Sequence, residues 1–116
     1  MRVGVYASNA NGTPAALISA SASGDLSGAA VATVTFTFAA PITFTAGTLY
    51  WIAVHFSSTT VLRAIPVAAC MPISFAAGSA VNTVMRGTQT YGALPTTLPT
   101  LTPTSSIVPI VRLTLA

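Results

Sequence analysis

Lysine and glutamate are absent from this sequence, and aspartate, histidine and cysteine occur once each, as Asp25, His55 and Cys70. Each gap removes a class of chemistry. A single acid provides no carboxylate pair for glycoside hydrolysis. One His, one Cys and one Asp would have to be pooled across subunits to build a metal centre. The lone cysteine excludes an intrachain disulfide, and its setting in "AIPVAACMPI" is apolar, which reads as an inert core thiol. Glycines in "GTQTYGAL" have the wrong spacing for a phosphate loop and no lysine follows. The stretch "SFAAGSA" is not a nucleophile elbow. Asp25 lies in a Gly/Ser turn, where its ordinary role is an Asx turn. No catalytic residue, cofactor or metal ligand is therefore assigned, and the chain is expected not to be an enzyme.

Charge of either sign is scarce, at 4% of the residues, against about a quarter in an ordinary soluble domain. The cations Arg2, Arg63, Arg86 and Arg112 are scattered, so the net charge of +3 makes no basic patch. Nucleic acid is excluded as the main partner on that ground. Long apolar runs are missing too, although 53% of the chain is apolar. A spanning helix needs about 18–20 uninterrupted apolar residues, and "AAPITFTAGTLYWIAVHF" is broken by Pro, Thr and Gly. Aromatics concentrate between Phe36 and Phe56 rather than in the two girdles of a membrane barrel. The start "MRVGVYASN" lacks the apolar core of a signal peptide. No membrane partner is expected.

What is present is a period of two. In "VATVTFTF" Val34, Phe36 and Phe38 fall on one face and Thr33, Thr35 and Thr37 on the other, a half-buried strand. In "LYWIAVHF" both faces are apolar: Tyr50, Ile52, Val54 and Phe56 on one, Leu49, Trp51, Ala53 and His55 on the other. That strand is expected to be central or covered by another subunit. Further candidate strands are 2–7, 16–22, 60–65, 71–75 and 80–86, separated by turns such as Asn11-Gly12 and Ala46-Gly47. "IVPIVRLTLA" is a last strand, beginning at Pro109 or lying on an edge. The expectation is one all-β domain over residues 1–116, an antiparallel β-sandwich of jelly-roll type. Its core is expected from Val34, Phe36, Phe38, Ile52, Val54 and Phe56. In "ALPTTLPTLTPTSS", Pro95, Pro99 and Pro103 recur every four residues, which favours an extended backbone. Residues 94–106 are read as an extended arm lying along this subunit or a neighbour.

Three features are candidates for binding. Asn9 and Asn11, with Tyr6, surround the first turn and can meet a polyhydroxyl ligand; turn formation alone explains them as well. Tyr91 is the aromatic expected to be exposed. Tyr50, Trp51 and His55 can form a stacking platform or belong to the core. Leu49, Trp51, Leu94, Leu98 and Leu101 are candidates for a subunit interface.

Tyr6-Ala7, Asn11-Gly12-Thr13-Pro14, Leu17 and Ala46-Gly47-Thr48-Leu49-Tyr50-Trp51 resemble a β-sandwich module of bacteriophage virion proteins, of tail-fibre, head-fibre and decoration type. The resemblance covers about residues 2–56 and carries no catalytic residues. It implies a structural virion protein, exposed on the outside of the particle, that self-associates and docks on other virion proteins. A trimer is the expected homo-oligomer. The alternative is a carbohydrate-binding module for a host surface glycan. The chain is either complete and compact or the end of a longer fibre.

Overall fold

A computed structural model describes residues 1–21, 24, 34–57, 64–66, 84–104 and 107–109. Strands β1 (Arg2–Ser8), β2 (Pro14–Ala20) and β3 (Tyr50–His55) form an antiparallel sheet in the order β2-β1-β3. Two further antiparallel ladders are shorter: β4 (Ala64–Pro66) pairs with β7 (Ile107–Pro109), and β5 (Val84–Arg86) with β6 (Thr102–Thr104). No helix long and apolar enough to cross a membrane occurs among the described residues. The candidate strand at 71–75, Cys70 and Asp25 lie outside them, as does the end of the last strand after Pro109.

The register sorts the side chains. Across β1 and β3, Arg2 faces His55, Gly4 faces Ala53 and Tyr6 faces Trp51. Directly opposed residues share a face, so these six form one side of the sheet. Val3, Val5 and Ala7, opposite Val54, Ile52 and Tyr50, form the other. On the β2 side Val5 pairs with Ser19 but Tyr6 with Leu17, which leaves Ile18 as the extra residue of a bulge. Its side chain is 44% exposed.

Among the described residues the core sits on β1. Tyr6 and Val5 are 0% and 1% exposed, and Leu94 joins them at 9%. The set expected from Val34 to Phe56 is only half-buried. The alternation at 34–38 holds, with Thr35 and Thr37 exposed between half-buried Val34, Phe36 and Phe38. Its one described pairing, however, is a single bridge from Phe38 to Ser21. The central strand of this sheet is β1, flanked on both edges; of the two places expected for β3, central or covered by another subunit, the described sheet does not give it the first, and it is half-buried along its whole length.

The proline-rich arm finds a place on the chain's own sheet, and the covering begins earlier than residue 94. His55 Nε2 lies 3.4 Å from the Gln89 carbonyl, and the Tyr91 ring tilts against the His55 ring at 5.1 Å. Leu94 then fills the space above Gly4, where a Cβ would meet Leu94 Cδ1 at 2.5 Å and Leu17 Cδ1 at 3.3 Å. The Tyr6 hydroxyl donates to the Pro95 carbonyl at 2.9 Å, and Leu17 N–H donates to the Thr96 carbonyl at 2.9 Å. A bridge between Ala16 and Thr97 continues along the outer edge of β2. Residues 89–97 thus strap the Tyr6–Trp51 face from β3, over β1, to β2. An extended proline-rich backbone makes no internal hydrogen bonds, so its carbonyls are free to accept from the sheet.

Burial raises the Tyr6 hydroxyl above its ordinary pKa. The folded chain therefore favours the neutral phenol: its contribution is complete below the usual tyrosine range, about pH 10, and is lost as pH rises through the raised folded value. Tyr6→Phe is expected to lose about 0.5–1.5 kcal/mol at neutral pH, and to fall less steeply than wild type in alkali. Urea unfolding at both pH values measures the two effects.

Candidate functional site

The end of the sheet where β1 and β2 meet collects the sequence-predicted contacts. Asn9 organises it. Its Oδ1 accepts from Asn11 N–H at 2.9 Å and Thr13 N–H at 3.0 Å, while its Nδ2 donates to Thr13 Oγ1 at 2.6 Å. Asn9 N–H donates to the Thr13 carbonyl at 2.9 Å, and Gly12 N–H to the Asn9 carbonyl at 3.0 Å. Gly12 takes the positive φ of 76° that the Asn-Gly pair announces. Asn9 and Asn11 are both exposed, but the Asn9 amide is committed to its own turn.

Trp51 closes this end from the next strand, donating Nε1–H to the Gly12 carbonyl at 3.2 Å. The hairpin leading into β3 lies at the same end, because Ala7 pairs with Tyr50. Here Phe44 meets Tyr50 edge-on, with centroids 4.9 Å apart and planes at 88°. Thr45 N–H donates to the Tyr50 hydroxyl at 3.0 Å, which holds that phenol below its ordinary pKa. Gly47 supplies the second positive φ, also 76°, and Thr48 N–H returns to the Thr45 carbonyl at 3.2 Å. Phe44 remains 39% exposed. Sequence reading missed it, since its one signal was an aromatic beside a glycine turn in "ITFTAG". The segments 7–14 and 41–51 that build this end contain no charged residue.

The other candidates do not converge there. Tyr91, expected to be exposed, is half-buried against His55 at the opposite end of β3. Tyr50, Trp51 and His55 make no common platform, because Tyr50 points to the face opposite the other two. Leu94, a candidate interface residue, is buried within its own chain over Gly4. Leu101 packs beside Gly87, where a Cβ would meet its Cδ2 at 2.7 Å. Leu49 and Leu98 are half-buried, as is Trp51.

At the far end, Arg2 stands opposite His55 across the ladder. Arg2 Nε and His55 Nδ1 are both buried without a hydrogen-bond partner. Among the described residues no carboxylate side chain occurs, and no group of three His, Cys, Asp or Glu could hold a metal ion. The described arrangement therefore offers aromatic edges, amide groups and apolar side chains for contact.

Comparison with family models, with curated proteins and with solved structures finds no match to this chain.

If Asn9 sets this end, Asn9→Ala should lower stability by about 1–2 kcal/mol through the lost side-chain bonds. Asn9→Asp, which keeps the accepting oxygen, should recover most of the loss. Denaturant midpoints followed by Trp51 emission measure both.

Proposed function

We propose that this chain is a structural module of a bacteriophage virion, exposed on the particle surface, that works by self-association and by docking on other virion proteins rather than by catalysis. In this reading the three-stranded sheet is part of a jelly-roll-like sandwich, and the assembled form is a trimer. The observation that carries it is apolar exposure without charge. Ile18 and Phe44 are 44% and 39% exposed, and Arg2 is the one Asp, Glu, Lys or Arg residue on the three strands. Contacts among copies would bury such side chains without desolvating ions. The motif residues behind the virion resemblance also meet in space: Tyr6 lies between Leu17 and Trp51 in one sheet.

A second reading, recognition of a neutral host glycan, draws on the uncharged end formed by Asn11, Phe44 and Tyr50. Exposed aromatic surface beside amide groups is the chemistry that stacks on and hydrogen-bonds to sugars. Binding to a glycan array that is lost in Phe44→Ala would favour it.

Light scattering at low and high salt tests the leading reading. The expected result is a mass of about three chains at tens of micromolar, nearly unchanged by salt because few charges are available to be screened. A chain that stays monomeric under both conditions overturns it.

A further inference from the structure

We propose that Gly4, Tyr6 and the outer edge of β2 form a binding site for a Leu-Pro-Thr peptide, and that in the assembled protein a second copy of this chain supplies that peptide from its residues 94–97. The inference rests on the self-association argued above. Its starting point is that donor and receiver are both visible within one chain. The receiver is built from Gly4, Tyr6, Ala16 and Leu17. The donor gives it one leucine side chain, two carbonyls and one bridge. An identical chain offers the same groups.

Four features favour exchange. The donor has a fixed base: downstream of Thr97 the chain is held at a second glycine, where a Cβ at Gly87 would meet Leu101 Cδ2 at 2.7 Å, the Thr100 carbonyl at 3.2 Å and Pro99 Cγ at 3.7 Å. Beyond it, β6 pairs with β5. Residues 94–97 can therefore leave Gly4 while the chain beyond them stays anchored. Departure breaks no hydrogen bond inside the segment, because a polyproline-like stretch has none, and its stiffness lowers the ordering cost of docking again. Residues 87–111 carry no charge, so two straps approach without repulsion. The sequence also repeats the motif, with Leu94-Pro95-Thr96 followed by Leu98-Pro99-Thr100. Exchange of an identical element between protomers is a low-cost route to oligomers.

The test pairs two full-length variants. Gly4→Val blocks the receiver and leaves the donor intact; the double variant Leu94→Gly, Pro95→Gly does the reverse. Trp51, opposite Tyr6 on the strapped face, is the only tryptophan and reports occupancy by its emission. Mixing the two is expected to create a mixed species, seen by mass and by return of the emission toward wild type. A synthetic peptide of sequence Ala-Leu-Pro-Thr-Thr-Leu should saturate the double variant, and Ala-Gly-Gly-Thr-Thr-Leu should bind at least about tenfold more weakly. Where the double variant does not fold alone, recovery of its β circular dichroism on adding the first peptide is the supporting result. Absence of mixed species, of saturable emission change and of such recovery overturns the proposal. Should wild type still oligomerise in that case, exchange falls and self-association stands. A monomeric wild type beside a peptide-binding double variant removes the second-copy donor and overturns the proposal as stated.

Discussion

The hydroxyl of Tyr6 reaches off the central strand to the carbonyl of Pro95, 89 positions away in sequence, and the described fold is arranged around that bond. Tyr6 is fully buried because it has neighbours on every side: Leu17 on one strand, Trp51 on the other, and the strap above. A buried phenol without a partner would cost more than the bond contributes, so the acceptor is a requirement and not an ornament. Proline suits the position, since it offers a carbonyl and carries no N–H that would itself need a partner. Gly4 completes the seat. A side chain there would compete for space with the Leu94 Cδ1 methyl, which would have to shift.

A second coupling ties the turn to the sheet. Asn9 shapes the loop by accepting two of its backbone N–H groups, and Trp51 then holds the Gly12 carbonyl from a strand far along the chain. Turn and sheet are therefore set together: loosening the Trp51 bond frees the loop tip, and reshaping the loop deprives the indole of its acceptor. Both ends of this arrangement are uncharged, so its geometry depends on hydrogen bonds and packing.

Much of the local structure was legible. Alternation gave the phase of 34–38 and of β3, and Asn11-Gly12 marked the turn between β1 and β2. Other features depend on pairings that periodicity cannot supply. A period of two says which residues share a face, but not which strand lies beside which. For that reason nothing in its pattern marks β1, a short apolar run with glycine in it, as the centre, while the richer aromatic strand reads as central or covered by another subunit. The arm's extended character followed from its prolines, yet its destination followed from an empty space above Gly4, and an absent side chain announces nothing in a sequence. Tyr91 stood among glycine and polar residues, which read as exposure. Its partner His55 lies 36 positions earlier in the numbering, beyond any local signal.

The bridge between Ala16 and Thr97 has a consequence for how the chain avoids its own kind when it should. An open strand edge is a template for another strand, and proteins commonly guard edges with lysine, which this sequence does not contain. On β2 the guarding is done by other means. Ile18 bulges out of register, and the strap takes up the Leu17 N–H and runs past Ala16. Proline follows at Pro99, which has no hydrogen to offer a further strand. In a chain nearly free of gatekeeper charges, a proline-rich cover over the edge performs the task that electrostatic repulsion performs elsewhere.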